Sequence, residues 1–380
     1  MRQAPNSMFD GMVRRSFGDL TGLHPTGMQW QQASLGLGHA GLGLRSTAKH
    51  ASAAYLASLG EASTAAQDLD TAFSAEDLRS SHDVREALAA LNANLHPQDQ
   101  ISFEAASHSK QHDLSLKLDL AGWQEQLGQA TVVGQATLQS EGCLGARAFL
   151  AALPAGRGRM EPATFVAELR ARLGIPDADE DAWCPHCDGI LDVQNYHAGM
   201  CAAGGERTQR HHALRDLIFV WAERGGLRPE RERPGLLLPQ SPHDTSNSGR
   251  RPADIYLPAL AGAPAALDFA VTAPQRQETL VQASQQGAAA ATAYAHHKES
   301  YLQTGEACRS QGVQFVPMVI ESTGAWDPAA MKILKHIAHA AASRAGIDPA
   351  DSLNQLHQEA SVCVRTWRAR AALRRCELTA

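Results

Sequence analysis

The carboxy-terminal half of the chain predicts an α/β fold, one central mixed β-sheet flanked by helices, preceded by a helical amino-terminal half. Three observations carry that expectation. Two short apolar segments within RRPADIYLPALAGAPAALDFAVT, Arg250 to Thr272, are bounded by Pro or Gly and read as neighbouring strands. The near-continuous apolar run from Val313 to Ile320 reads as a buried third strand despite Pro317. Helical patterns fill the gaps, so the order beyond residue 205 is helix, strand pair, helix, strand, helix, helix.

Taken in order, Ser46 is a candidate N-cap for a helix running to about Leu59, stopped by Gly60, with Tyr55, Leu56 and Leu59 on its apolar face. Residues 61–140 are polar and rich in Ala and Gln; the helical pieces at 82–94 and 112–128 are expected to be connecting helices without chemistry. Residues 146–153 and 163–173 also read as helical. The second carries Phe165, Val166, Leu169 and Leu173 at helical spacing and closes at Gly174 and Pro176. The acidic run Asp177 to Asp181 predicts a solvated linker. Glu206 to Arg224 predicts a strong helix, with Leu214, Leu217, Ile218 and Trp221 on one face and Gly225-Gly226 as its stop. Residues 229–250 predict an irregular connection holding one short apolar segment, Leu236 to Leu238. Residues 275–303 predict helix ending at Gly305. Another helix runs from Pro328, in its first turn, to about Ala345. The last, about 351–375, stacks Leu353, Leu356, Ala360, Val364 and Trp367.

Composition bounds what these elements can do. A chain of 380 residues has room for two or three domains, and 44% hydrophobic residues suffice for real cores. A net charge of −6 excludes a basic nucleic-acid-binding protein overall, so any such surface is local. Arg365, Arg368, Arg370, Arg374 and Arg375 form one local candidate, either a phosphate-binding stripe or a solvated helix face. Seven cysteines, three in one metal-like cluster and Cys143, Cys308, Cys363 and Cys376 scattered, form no disulfide framework and suggest a reducing compartment, nuclear or cytoplasmic. No membrane span and no secretory leader are expected, so the chain reads as neither membrane-bound nor secreted.

Two constellations carry chemistry. Cys184, Cys187, His197 and Cys201 form C-x2-C-x9-H-x3-C, which fits a tetrahedral zinc site: the CxxC turn supplies two thiolates and a short loop returns the imidazole and the third thiolate. Four protein ligands leave no position for substrate, so the site is expected to be structural. His186 lies inside the CxxC turn but points poorly for a ligand. The second constellation is Asp254 and Asp268, one on each of the paired strands. Asp268 shares its face with Ala270 and Thr272, while Leu267, Phe269 and Val271 take the other. Either the two carboxylates jointly hold a divalent cation or each is an ordinary strand-end residue; spacing alone does not choose.

The Cys/Cys/His/Cys knuckle followed by Arg-Pro-Ala-Asp and a second Asp resembles the carboxy-terminal half of R2-like non-LTR retrotransposon reverse transcriptase proteins. Further matches to retroelement reverse transcriptases are Gln32-Ala33-Ser34-Leu35 with Gly41-Leu42-Gly43-Leu44-Arg45, and Ala53 to Ser58. Downstream follow Arg210-His211-His212-Ala213-Leu214-Arg215, Lys298-Glu299-Ser300-Tyr301, and Phe315-Val316-Pro317 with Glu321-Ser322-Thr323-Gly324. Each is only moderately specific; their shared order is the stronger signal. The resemblance implies a thumb-like helical remnant at 1–75, a helical connector at 76–180, the zinc knuckle at 181–204 and a restriction-like endonuclease domain of the PD-(D/E)xK type at 205–380.

It further implies that Asp254 and Asp268 bind Mg²⁺ or Mn²⁺, that Lys298 stabilises phosphate charge, that Tyr301 orients the phosphate and that Glu232, or Glu223, supplies a third acid. DNA is the implied partner, with element RNA a second. Two departures stand out. Ala270 occupies the place where many such nucleases carry the lysine, and Ala253 is inserted between Pro252 and Asp254. No Tyr-x-Asp-Asp sequence occurs, so the chain lacks the paired carboxylates of a polymerase palm. The expectations are therefore a nuclease module or an inactive nucleic-acid-binding or scaffold remnant.

Overall fold

The computed structural model describes residues 3–70, 75–237 and 250–379. Leu238, the end of the short apolar segment, and residues 239–249 of the irregular connection lie outside the described residues. The chain divides into two units, Met1–Ala130 and Thr131–Ala380. The division falls inside the segment 76–180 read from sequence as a single connector.

The first unit is helical: α1 (Gln3–Thr21), α2 (Gly27–Ser34), α3 (Thr47–Leu69), α4 (Ala75–Ser80), α5 (His82–Asn92), α6 (Phe103–Ser107) and α7 (Gln111–Gln129). Its core joins Ala53, Leu56 and Ala57 of α3 to Val84 and Leu91 of α5, Ala106 of α6 and Leu114 and Leu118 of α7. Ser46 caps α3 as expected, its side chain accepting from the Lys49 N–H, and the Asp10 carboxylate accepts from the Thr47 and Ala48 N–H groups. The helix does not stop at Gly60. A β-carbon there would lie 1.7 Å from the Ser107 carbonyl oxygen, so this glycine lets α6 approach closely rather than ending α3.

The second unit is a mixed α/β fold. It begins with α8 (Val132–Glu141), α9 (Leu144–Arg147) and α10 (Pro162–Arg172), followed by the hairpin β1 (Ala182–Trp183) and β2 (Ile190–Leu191). Then come α11 (Tyr196–Met200), α12 (Glu206–Arg224), β3 (Glu230–Arg231), β4 (Ile255–Leu260), β5 (Ala263–Thr272), α13 (Leu280–Gln285), α14 (Ala289–Ser300) and α15 (Thr304–Arg309). The chain closes with β6 (Gln314–Glu321), α16 (Pro328–Ala345) and α17 (Pro349–Thr379). The sheet order is β3-β4-β5-β6, antiparallel except for the parallel β5/β6 pair. Ala261 and Gly262, both at positive φ, make the two-residue turn between β4 and β5. Pro317 is accommodated because β6 is an edge strand.

Alternation along β5 sorts its side chains between two cores. Ala265, Leu267 and Phe269 pack with α12, α16 and α17, including Trp221, Ile337 and Leu356. Ala270 packs instead on Ala291 and Ala295 of α14, and Ala266 joins Tyr256 and Cys308. Helices therefore cover both faces of the sheet. The stretch expected as one helix over 275–303 is broken between α13 and α14, where Ala288 takes positive φ. The acidic linker is not fully solvated: Asp177 pairs with Arg170 at 3.2 Å and Asp181 accepts from the Val193 N–H.

Candidate active site and metal centre

The β1/β2 hairpin presents the CxxC turn, in which the Cys184 N–H donates to the Gly189 carbonyl at 2.9 Å. Asp192 then starts α11, its carboxylate accepting from the Tyr196 and His197 N–H groups at 2.9 and 2.8 Å. That short helix carries His197 on its first turn, with Cys201 just past its end. The ligand atoms of Cys184, Cys187, His197 and Cys201 all lie within 4.8 Å of one another. Cys187 Sγ is 3.3 Å from His197 Nε2 and 3.6 Å from Cys201 Sγ. Three sulfurs and one imidazole nitrogen converging from one hairpin and one helix are a donor set suited to zinc, with all four positions filled by protein. His186 stays outside this group, its Nε2 buried without a partner. Cys184 is drawn down to about 6: burial opposes the thiolate, but the His186 N–H, Arg375 and His197 stabilise it by hydrogen bonding.

The second site lies on the α14 face of the sheet. Parity places Asp268 with Ala266 and Ala270, and Asp254 with Tyr256, so both carboxylates share that face. Strand register therefore permits a common ligand. The packing of Ala291 and Ala295 against Ala270 brings the last turn of α14 over β5, and Lys298 Nζ reaches Asp268 Oδ2 at 2.7 Å. Asp254 Oδ2 accepts from the Phe269 N–H at 2.7 Å and lies 3.1 Å from His211 Nε2, which projects from the second turn of α12.

The two aspartates sit in different fields. For Asp254, burial is outweighed by the hydrogen bond and charge of His211, the Phe269 N–H and Lys298, and its pKa falls. For Asp268, burial dominates; Lys298 opposes it, Asp254 adds to it, and the pKa rises. Beside them opens a cleft of about 240 Å³ lined by Arg207, Thr208, His211, Tyr294, Lys298 and the β5 segment Phe269–Val271.

The other candidates stand apart from this cluster. Glu232, at positive φ, donates its N–H to the Asp254 carbonyl, but its carboxylate is held by Arg215 and Arg251 at 3.2 and 3.0 Å. Tyr301 is exposed, one turn beyond Lys298. Glu223 is exposed on α12.

The arginine stripe is corrected for its three buried members, while Arg370 and Arg374 are exposed. Arg365 and Arg375 are fully buried and Arg368 nearly so. Arg365 binds Glu168 at 2.7 Å and also Glu141; Arg368 holds Glu168 through two bonds; Arg172 binds Glu141 at 2.5 Å. Arg374 pairs with Glu206 at 2.7 Å and Arg370 lies over Trp367. A basic run without local acids looked free because its acids lie about 200 residues upstream.

Sequence reasoning assigned no role to His211, although its motif was visible, because the cross-sheet partner Asp254 is 43 residues away. Glu321 was likewise quoted only within a motif. It is completely buried, accepting from Ser140 Oγ and from the Ala290 and Ala291 N–H groups at 3.1 and 3.3 Å. Among the described residues no helix is long and apolar enough to cross a membrane. No protein-family model matches the chain, and no curated protein matches it either.

Proposed function

We propose that the second unit is a metal-dependent DNA endonuclease domain of restriction-endonuclease-like fold, within the carboxy-terminal part of an R2-like retrotransposon protein. The observation that carries this reading is the placement of two strand carboxylates on one sheet face, with a lysine from the following helix bonded to one of them. The order of knuckle, helix with His211, paired acid strands and lysine helix adds to it. Asp254 and Asp268 would hold Mg²⁺ or Mn²⁺, which when bound supplies charge neutralisation and an activated water. His211 and the Phe269 N–H fix the Asp254 carboxylate. Lys298 compensates Asp268 in the resting site and offers its ammonium to the phosphate that enters the cleft. The zinc knuckle braces the entry to α12. Such a protein acts on nuclear DNA, with element RNA as a second partner; Tyr301 and Glu232 stay outside this reading.

A second reading, an inactive nucleic-acid-binding or scaffold remnant, has its own support. Among the described residues no group of three possible ligands that includes Asp254 and Asp268 lies mutually within 4.8 Å, and Ala270 fills the usual lysine position. The experiment that separates them is cleavage of linear, nicked and branched DNA with Mg²⁺ or Mn²⁺. Wild type is expected to cut, Asp268→Ala to abolish cutting, and Lys298→Ala to slow it by about a hundredfold or more. Wild type and Asp268→Ala equally inert on every substrate with both metals would establish the remnant instead.

A further inference from the structure

Tyr294, His297 and Tyr301 follow one another at helical spacing along α14 and the turn that ends it. The Tyr294 and His297 rings are stacked with centroids 5.9 Å apart and planes at 24°, and His297 and Tyr301 follow at 5.7 Å. Tyr294 stands in the cleft wall, whereas His297 is exposed and Tyr301 is 59% exposed, so the stripe leads from the cleft outwards. Helix packing does not need these outer rings; α14 holds the sheet through Ala291 and Ala295.

We infer that this stripe stacks the unpaired bases of a single-stranded nucleic acid whose backbone runs into the cleft. Three features favour that occupant over a protein. Every base has a π-face, so a row of exposed rings binds an unpaired strand regardless of sequence, while a paired strand keeps its faces hidden. The stripe is flanked by cations: the Arg276 guanidinium lies 5.7 Å and the Lys298 ammonium 6.0 Å from the Tyr294 centroid. Arg207 on the cleft wall carries no ion pair among the described residues. From Tyr294 to Tyr301 the helix rises ~10 Å, the reach of about three nucleotides at ~3.4 Å each. Arg276 shares its charge with Glu278 at 3.3 Å, so stacking rather than net charge has to carry the preference. The inference rests on the cleft being where phosphate enters, and it names the substrate class: DNA with an unpaired stretch beside the scissile bond.

Binding is measured without cutting, on the full chain in EDTA, by fluorescence anisotropy with a labelled twenty-nucleotide oligothymidine and a twenty-base-pair duplex. Wild type is expected to prefer the single strand. His297→Ala, at an exposed position that leaves the fold alone, is expected to weaken single-strand binding about five- to a hundredfold, leaving duplex binding within about twofold. His297→Phe, which keeps a π-face, restores it, and Tyr301→Ala follows His297→Ala. Equal affinity for both DNAs, no binding, or no response to either ring removal overturns the inference. Ring-dependent binding by a protein that never cuts would remove the nuclease reading alone; cutting without ring dependence would remove the stacking inference alone.

Discussion

Two buried titratable side chains in the second unit pull stability in opposite directions with pH. Glu321 is pushed up to about 7 because burial outweighs the hydrogen bonds from Ser140 and the Ala291 and Ala290 N–H groups. His357 is pushed down to about 4 by burial alone, with neither ring nitrogen partnered. For Glu321 the folded pKa lies above the ordinary 4.5. Its contribution is complete below 4.5 and is lost as pH rises through 7, because the unfolded chain releases the proton first. For His357 the folded pKa lies below 6.5. Its contribution is complete above 6.5 and is lost as pH falls towards 4, because only the unfolded chain takes up the proton. Each spans roughly 3 kcal/mol, so between pH 4.5 and 6.5 they largely offset. Denaturant melts across that window should then show His357→Leu losing stability as pH rises and Glu321→Gln gaining it. Two variants with the same slope as wild type would remove this account.

The knuckle shows how one element is held by a few contacts. Elemental analysis should find about one zinc per chain, and Cys184→Ser should release it and lower the melting temperature, since structural zinc contributes folding energy directly. Gly189 offers a finer probe. A β-carbon there would lie 2.6 Å from the His197 ring and 3.4 Å from Cys187 Sγ. Gly189→Ala should push the imidazole off the metal and weaken zinc retention against a chelator at least tenfold, while Asp188→Ala, at an exposed position, should not. Equal retention by both variants would mean that this close approach does not set the site. The ligand spacing was legible in sequence because the whole knuckle is local, spanning 18 residues from Cys184 to Cys201.

At the scale of the molecule, a buried ionic network ties α8 and α10 to α17. Glu141 and Glu168 face Arg172, Arg365 and Arg368, and the carboxylate of Glu141 stays ionised because the three guanidiniums outweigh its burial. Burying such groups is favourable only while every charge is compensated. Glu168→Ala leaves Arg365 and Arg368 short of a counter-charge and should cost about 3–5 kcal/mol, read as a loss of melting temperature with zinc retained. Glu168→Gln should cost less, since its amide oxygen still accepts from one guanidinium, although its NH2 group cannot replace the second carboxylate oxygen. A loss below about 1 kcal/mol for Glu168→Ala would show the network to be expendable.

What the sequence determined by itself was whatever repeats or closes over a short span. Helices α10, α12 and α16 fall where periodicity, Pro and Gly predicted them. The three main strands, the face shared by Asp268 and Ala270 and the clustering of Cys184, Cys187, His197 and Cys201 were equally readable, because each rests on a short span of chain. Tertiary structure decided the rest. Gly60 ended a helix on paper and instead admits a second backbone. Five arginines formed a free basic stripe on paper, yet two are fully buried against carboxylates far upstream. The pairing of Lys298 with Asp268, and of His211 with Asp254, depends on which helix covers which face of the sheet. Such pairings form between residues distant in the chain, where local pattern carries no information about who meets whom.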